Sequence, residues 1–203
     1  MQSLDRSIET LLMFGVLPLW AAAGFGDWLC HRLQRLELTA GWPEALLHAA
    51  MLAVLAPATV AVLLLEVTAP VLVGLLCACI VHELLFWCDL AYASRRRVIG
   101  PLEQWIHCVQ FAMPWVGLVA LGLLHRDQVA ALLGIAGAEA ADWSWRVKDQ
   151  PLSSTYVVSV LAGCSLVIGI PFAEELWRCW RSRQDQSAAS APAMPSNAAT
   201  WSR

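Results

Sequence analysis

Four pairings of a carboxylate with a histidine hold most of the chemistry in this chain. Asp27/His31, Glu44/His48 and Glu103/His107 are spaced by four residues and His82/Asp89 by seven, and together they use four of the five histidines. Both spacings return side chains to one face of an α-helix. Carboxylates and neutral imidazoles are natural ligands for Fe, Mn or Zn. Four helix faces carrying such pairs therefore describe a site for two divalent metal ions. Iron is the first choice, because mixed carboxylate and imidazole ligation suits it and thiolate is absent from the set. Each pair also has a plainer reading. Glu44 and Glu103 stand in the first turn of a helix, where an acid complements the helix dipole, and Asp27/His31 lies at a helix end, where it could simply be solvated. His82 and Asp89 resist that reading, because Leu84, Leu85, Phe86 and Trp87 lie between them.

The elements that must position these pairs are apolar. The chain of 203 residues is 59% hydrophobic and 14% charged, against about 25% charged in an average soluble domain. Its apolar residues fall into runs at about 8–30, 44–65, 71–92, 101–124 and 152–176, each near the ~20 residues that cross a bilayer core. The fold class expected is an all-α integral membrane protein, a bundle of about five transmembrane helices. Residues 129–141 are apolar but too short to cross, which predicts an interfacial or re-entrant helix. Pro18 is placed to kink the first span. Residues 1–183 form the transmembrane domain, and 184–203, rich in Ser, Ala and Pro, read as a disordered cytoplasmic tail. Eleven tryptophans suit two lipid–water interfaces. The seven cysteines show neither zinc-knuckle spacing nor a disulfide framework. The start, MQSLDRSIET, lacks a positive n-region, so no cleavable leader is expected.

Charge then orients the spans. Nine of the thirteen Lys and Arg lie in the first loop, the third loop and the C-terminal region. The positive-inside rule puts those segments in the cytoplasm, the N-terminus outside and the C-terminus inside, as in a bacterial inner membrane. All four pairs then occupy the cytoplasmic-side slice of the membrane. Charged groups there are costly, about 2.5–3.5 kcal/mol each at a helix centre, and a bound cation would offset that cost. A formal net charge of -3 and no basic run beyond Arg95-Arg96-Arg97 give no sign of nucleic-acid binding.

The arrangement resembles in its logic the soluble di-iron bundles, in which Glu and Glu-x-x-His side chains project inward from four helices, although the spacing here is carboxylate-x-x-x-His and no clustered histidine box is present. The expected function is a membrane-embedded di-metal oxidoreductase, acting on a lipid-soluble substrate and fed by an external electron donor. Alternatives are an intramembrane zinc-dependent lipid hydrolase, a haem protein using histidine pairs as axial ligands, and a cation transporter. The last is disfavoured because no polar path continues to the far side. Among the neighbours, Gln110 stands one turn beyond His107, in reach of a ligand. Glu83 points away from His82, Glu37 reads as a solvated loop acid and Tyr92 as an interfacial anchor. Arg32, Arg35 and Arg95 to Arg97 rim the mouth, suited to an anionic group or to setting topology. Glu174 and Glu175 read as interfacial first and as supports behind the ligands second, and His125 lies on the far side.

Overall fold

A computed structural model describes residues 2–189, and residues 190–203 of the expected tail lie outside the described residues. Five long helices make the bundle: α1 (Gln2–Leu33), α2 (Trp42–Leu64), α3 (Ala69–Ala93), α4 (Pro101–Leu124) and α6 (Ser154–Ala189), with a short α5 (Arg126–Leu132) between the last two. No strand forms among the described residues. The chain is an all-α helical membrane bundle with five helices long and apolar enough to span a bilayer.

Proline and glycine set the helix bounds. Pro43, Pro70 and Pro101 each stand in a first turn, where the missing N–H costs nothing. Gly41 precedes α2 with φ +67° and ψ -146°, a region essentially reserved for glycine. A Gly41→Ala variant is therefore expected to lose about 1–3 kcal/mol of stability, read as an earlier unfolding midpoint in detergent. Pro18 and Pro171 lie inside α1 and α6, each just after a π turn, Leu12–Val16 and Ser165–Gly169. There the Leu17 N–H reaches back to Leu12 O and the Ile170 N–H to Ser165 O. The extra residue in each turn opens the ladder where a proline ring would otherwise press on the preceding carbonyl. The kink expected at Pro18 takes this form.

The stretch at 129–141 is helical only as far as Leu132; Gly134 and Gly137, with φ of +64° and +85°, end the helix. The chain that follows does not cross the bundle. It folds onto the α2–α3 turn at the far face, where the N–H of Glu66 donates to Arg146 O, that of Ala69 to Asp142 O and that of Lys148 to Leu64 O. The expected interfacial helix is thus one short helix and an extended strap. At the other end, α6 stays helical through Ala189, past residue 184, where a structureless segment was expected.

The long helices close a ring in the order α1, α4, α3, α2, α6 and back to α1. Packing is inverted relative to a soluble protein. Phe14, Leu84, Trp87, Trp105 and Val119 point outward, while the largest fully buried side chains include His31, Glu44, Glu103 and Glu175. Apolar outside and ionisable inside is the pattern lipid imposes on a bundle that keeps polar groups for a purpose.

Candidate metal centre

Each helix of the ring sends donors to one layer. Asp27 and His31 come from α1, Glu44 and His48 from α2, Asp89 from α3, Glu103 and His107 from α4, and Glu175 from α6; all are buried. Glu44 and Glu103 reach it because the Gly-x-Pro and Gly-Pro starts of α2 and α4 set their first turns at this depth. Arg97, from the α3–α4 loop, adds the layer's one buried guanidinium, with 3% of its side chain exposed.

Glu175 organises the histidines. Its two oxygens take one ring each: His31 Nδ1 at 3.0 Å and His48 Nδ1 at 2.7 Å. A carboxylate can only accept, so both Nδ1 atoms carry the proton and both Nε2 atoms are left facing the centre. The two rings stack with centroids 4.7 Å apart and planes 6° apart. A carboxylate behind a histidine that points its free nitrogen inward is the usual support of a metal-ligating imidazole.

What faces those nitrogens is acidic, apart from Arg97 Nη2, which lies 3.1 Å from His31 Nε2 and can donate to it. His31 Nε2 lies 3.2 Å from Glu103, 3.5 Å from Asp27 and 3.8 Å from Glu44. His48 Nε2 lies 3.3 Å from Asp89 Oδ1, and His107 Nε2 3.2 Å from Asp27 Oδ1. A nitrogen lone pair and a carboxylate oxygen repel each other unless a cation or a proton lies between them. Asp27 Oδ1, His48 Nε2, Asp89 Oδ1 and His107 Nδ1 are buried with no hydrogen-bond partner, a costly condition for a polar atom. Two donor groups lie close enough to hold a metal ion: Asp27, His31, Glu103 and His107, and His31, Glu44 and His48, the ligand atoms of each group within 4.8 Å of one another.

Arg97 closes the layer on the loop side. Its Nε donates to both oxygens of Glu44, at 3.0 and 3.3 Å, its Nη1 to Gln34 at 3.1 Å, and its Nη2 pairs with Glu44 and, at 2.6 Å, with Glu103. Burial works against its charge, but the hydrogen bonds to Glu103 and Glu44 outweigh burial and raise its pKa above the ordinary arginine value. Gln34 also donates to Glu103 at 2.6 Å, and Gln110 to Asp27 at 3.3 Å.

Seven of the eight residues singled out from spacing meet here. His82 does not join a donor group. It lines the cavity above the layer, stacked on Phe86 and 3.6 Å from Glu83. Asp89, its expected partner, meets His48 instead. Three contributors lie outside the set that spacing predicts: Glu175, which position along α6 puts near the interface; Arg97, which stands in a run of three arginines at the rim; and Gln34. Gln110 does what its position predicted. Arg32 and Arg178 instead pair with Glu174, and Arg178 with Glu37, in a half-exposed network outside the layer. Tyr92 ties α3 to the α1–α2 loop by donating to Ala40 O at 3.1 Å.

Above the layer lies a cavity of about 260 Å³. Asp27, His48, His82, Asp89 and His107 form its polar end, and residues such as Leu52, Leu55, Phe86 and Ile168 form the rest. The arrangement can hold metal ions at the boundary between a buried acidic layer and an apolar chamber. No protein-family model, curated protein or solved structure matches this chain.

Proposed function

We propose that the chain is a membrane-embedded di-metal oxidoreductase, with iron as its metal, that acts on a lipid-soluble substrate. The observation that carries this reading is charge. Five carboxylates, Asp27, Glu44, Asp89, Glu103 and Glu175, are buried in one layer, and Arg97, paired with Glu44 and Glu103, is the one guanidinium in it. Two divalent ions and one guanidinium neutralise five carboxylates while the histidines stay neutral, as ligands must. One ion would leave a net negative charge inside the bilayer, where uncompensated charge is most costly.

The two donor groups share His31. Its Nδ1 is held by Glu175, so its Nε2 serves one ion only. Asp27, His31, Glu103 and His107 would hold that ion, leaving Glu44 and His48 for the other, with Asp89, 3.3 Å from His48 Nε2, drawn in as its third ligand. Iron in such a set supplies one-electron and O₂ chemistry. The chain's own residues fix the imidazoles through Glu175, hold Glu44 and Glu103 apart through Arg97, keep water out through the apolar helix faces, and offer the chamber above the layer to substrate. An external electron donor would be its partner. By the positive-inside rule, the arginine-rich loops favour a layer on the cytoplasmic side of a bacterial inner membrane, with the N-terminus outside.

The zinc hydrolase reading shares the donors but needs only one ion, and would leave part of the negative charge unmatched. A haem is disfavoured because His31 and His48 stack face to face and leave no slot between them. Elemental analysis with an absorption spectrum separates the readings. Two irons per chain, with a ligand-to-iron charge-transfer band, are expected. Asp89→Asn should cost one iron and Asp27→Asn the other, whereas His82→Ala should keep both. Colourless protein holding one zinc would replace this reading with the hydrolase, and a Soret band with the haem protein.

A further inference from the structure

A second cavity, of about 300 Å³, lies above the first and reaches the far face of the bundle, where Glu9, His125, Lys148 and Leu152 line it. The two cavities share four lining residues, Leu17, Trp20, Leu55 and Thr59. They therefore abut at one waist. Thr59 spends its hydroxyl on Leu55 O at 2.9 Å, so even the hydroxyl at the waist is satisfied within its own helix. From Leu124 down to His107 is roughly 25 Å along α4 at 1.5 Å per residue, and the interior beside it is apolar over nearly all of that distance. Each cavity approaches, and together they fall well within, the range of volumes typical of ligand pockets. The lower cavity also opens sideways, at its end nearer the waist. Val60 on α2 and Leu161 on α6 line the lower cavity and are exposed on the outside of the bundle. α6 packs on α2 through its half from Ile170 onward and leans on α1 at Tyr156, whose hydroxyl donates to Met13 O at 3.2 Å.

The two ends differ in charge. The lower end meets the acidic layer at Asp27 and Asp89. The upper end carries Lys148, half-buried, whose ammonium makes no hydrogen bond or ion pair among the described residues, with His125 beside it and Glu9 and Glu66 as the acids nearby. We propose that the joined cavities bind a single-chain amphiphile with an anionic head, a long-chain carboxylate in its simplest form, with the head at Lys148 and the tail end at the metal layer. A carboxylate head placed at the lower end would face the buried acids and lose its hydration. At the upper end it gains a cation and stays at the lipid–water boundary, while the chain replaces lipid contacts with equivalent apolar ones. The chain slips in sideways between α2 and α6 from the leaflet remote from the metal layer. The use of the tail end as the reacting end rests on the di-metal reading; the binding mode does not.

The test uses the full chain in phosphatidylcholine nanodiscs with two photoreactive palmitic acids, one with a diazirine on the terminal carbon and one with it next to the carboxyl group. Mass spectrometry reads the labelled residues. The terminal probe is expected on Leu52, Phe86 or Ile168, and the head-proximal probe on Leu121 or Leu152. Thr59→Trp, which fills the waist, should remove the terminal label from the lower cavity by at least tenfold and keep the head-proximal label, which also shows that the variant is folded. Lys148→Gln should weaken labelling by the acid severalfold and leave labelling by its methyl ester unchanged. Reversed label positions, labels confined to outward residues such as Leu84 and Val119, or indifference to Thr59→Trp would each overturn the proposal. Running the same labelling on metal-depleted protein separates the two readings, because a layer that never binds iron would leave the label pattern intact.

Discussion

On the di-metal reading, replacing Glu175 with glutamine should weaken the binding of one metal ion by roughly ten- to a hundredfold and leave the other nearly unchanged. The reason is a count of acceptors. Glu175 takes the Nδ1–H of His31 on one oxygen and that of His48 on the other. Glutamine keeps one oxygen and offers an N–H in place of the second. The ring that meets the N–H must turn its lone pair toward it, and its proton then moves to Nε2, the nitrogen that faces the centre. That histidine can no longer ligate, while the other is held as before. An alanine at the same position frees both rings and should weaken both ions. Metal titration of depleted protein, followed by absorption and by bound metal per chain, reads the difference as one altered step for Glu175→Gln and two for Glu175→Ala. Equal loss of both ions in the glutamine variant would mean that Glu175 acts through charge alone and not through orienting the rings. No loss in either variant would remove Glu175 from the site.

Glu175 is also where reading from sequence stops short. Three acid–histidine pairs were legible because a spacing of four is resolved within one helix and needs no knowledge of what packs against it. The spans were legible for a similar reason, since length and composition settle whether a helix can cross a bilayer. Glu175 meets His31 across 144 positions of chain, and nothing local distinguishes it from its neighbour Glu174, which faces the rim and pairs with Arg32. Only the closing of the ring by α6 decides which of the two acids turns inward. Arg97 has the same history. It is the third of three consecutive arginines, and the turn after Ala93 sends it into the layer while Arg95 and Arg96 stay exposed. His82 shows the converse limit of spacing. A spacing of seven does bring His82 and Asp89 to one face, but it also sets them about 10 Å apart along the axis. Sharing a face is not sharing a depth, so Asp89 meets His48 across the α2–α3 interface and His82 is left on the chamber wall. The stretch at 129–141 failed on composition, because its apolar residues hid two glycines whose positive φ ends the helix early.

Removal of the Arg97 charge should be the most damaging single change to the fold. Arg97→Met is expected to destabilise the metal-depleted protein by about 3–5 kcal/mol, the usual cost of stripping one partner from a buried ion pair. The loss is not one contact. Three guanidinium nitrogens are engaged, with Glu44, Glu103 and Gln34, and methionine fills the volume while leaving two buried carboxylates without their cation. Arg97→Lys keeps the charge but not the planar fork, so it should recover only part of the stability. Neutralising a carboxylate in the same background supplies the sharper comparison. Glu103→Gln added to Arg97→Met removes one of the two stranded charges, and the pair should be more stable than Arg97→Met alone. The coupling between the two sites is expected at about 0.5–3 kcal/mol, the range for residues in one network. Unfolding in mixed detergent micelles, with tryptophan fluorescence as the signal, measures all four variants against the parent. Metal loading should narrow the differences, because ions held by Glu103 and Glu44 take over much of the compensation that Arg97 provides. Additive losses for Arg97→Met and Glu103→Gln would show that the two groups do not share a charge balance, and the case for two ions from that balance would fall with them.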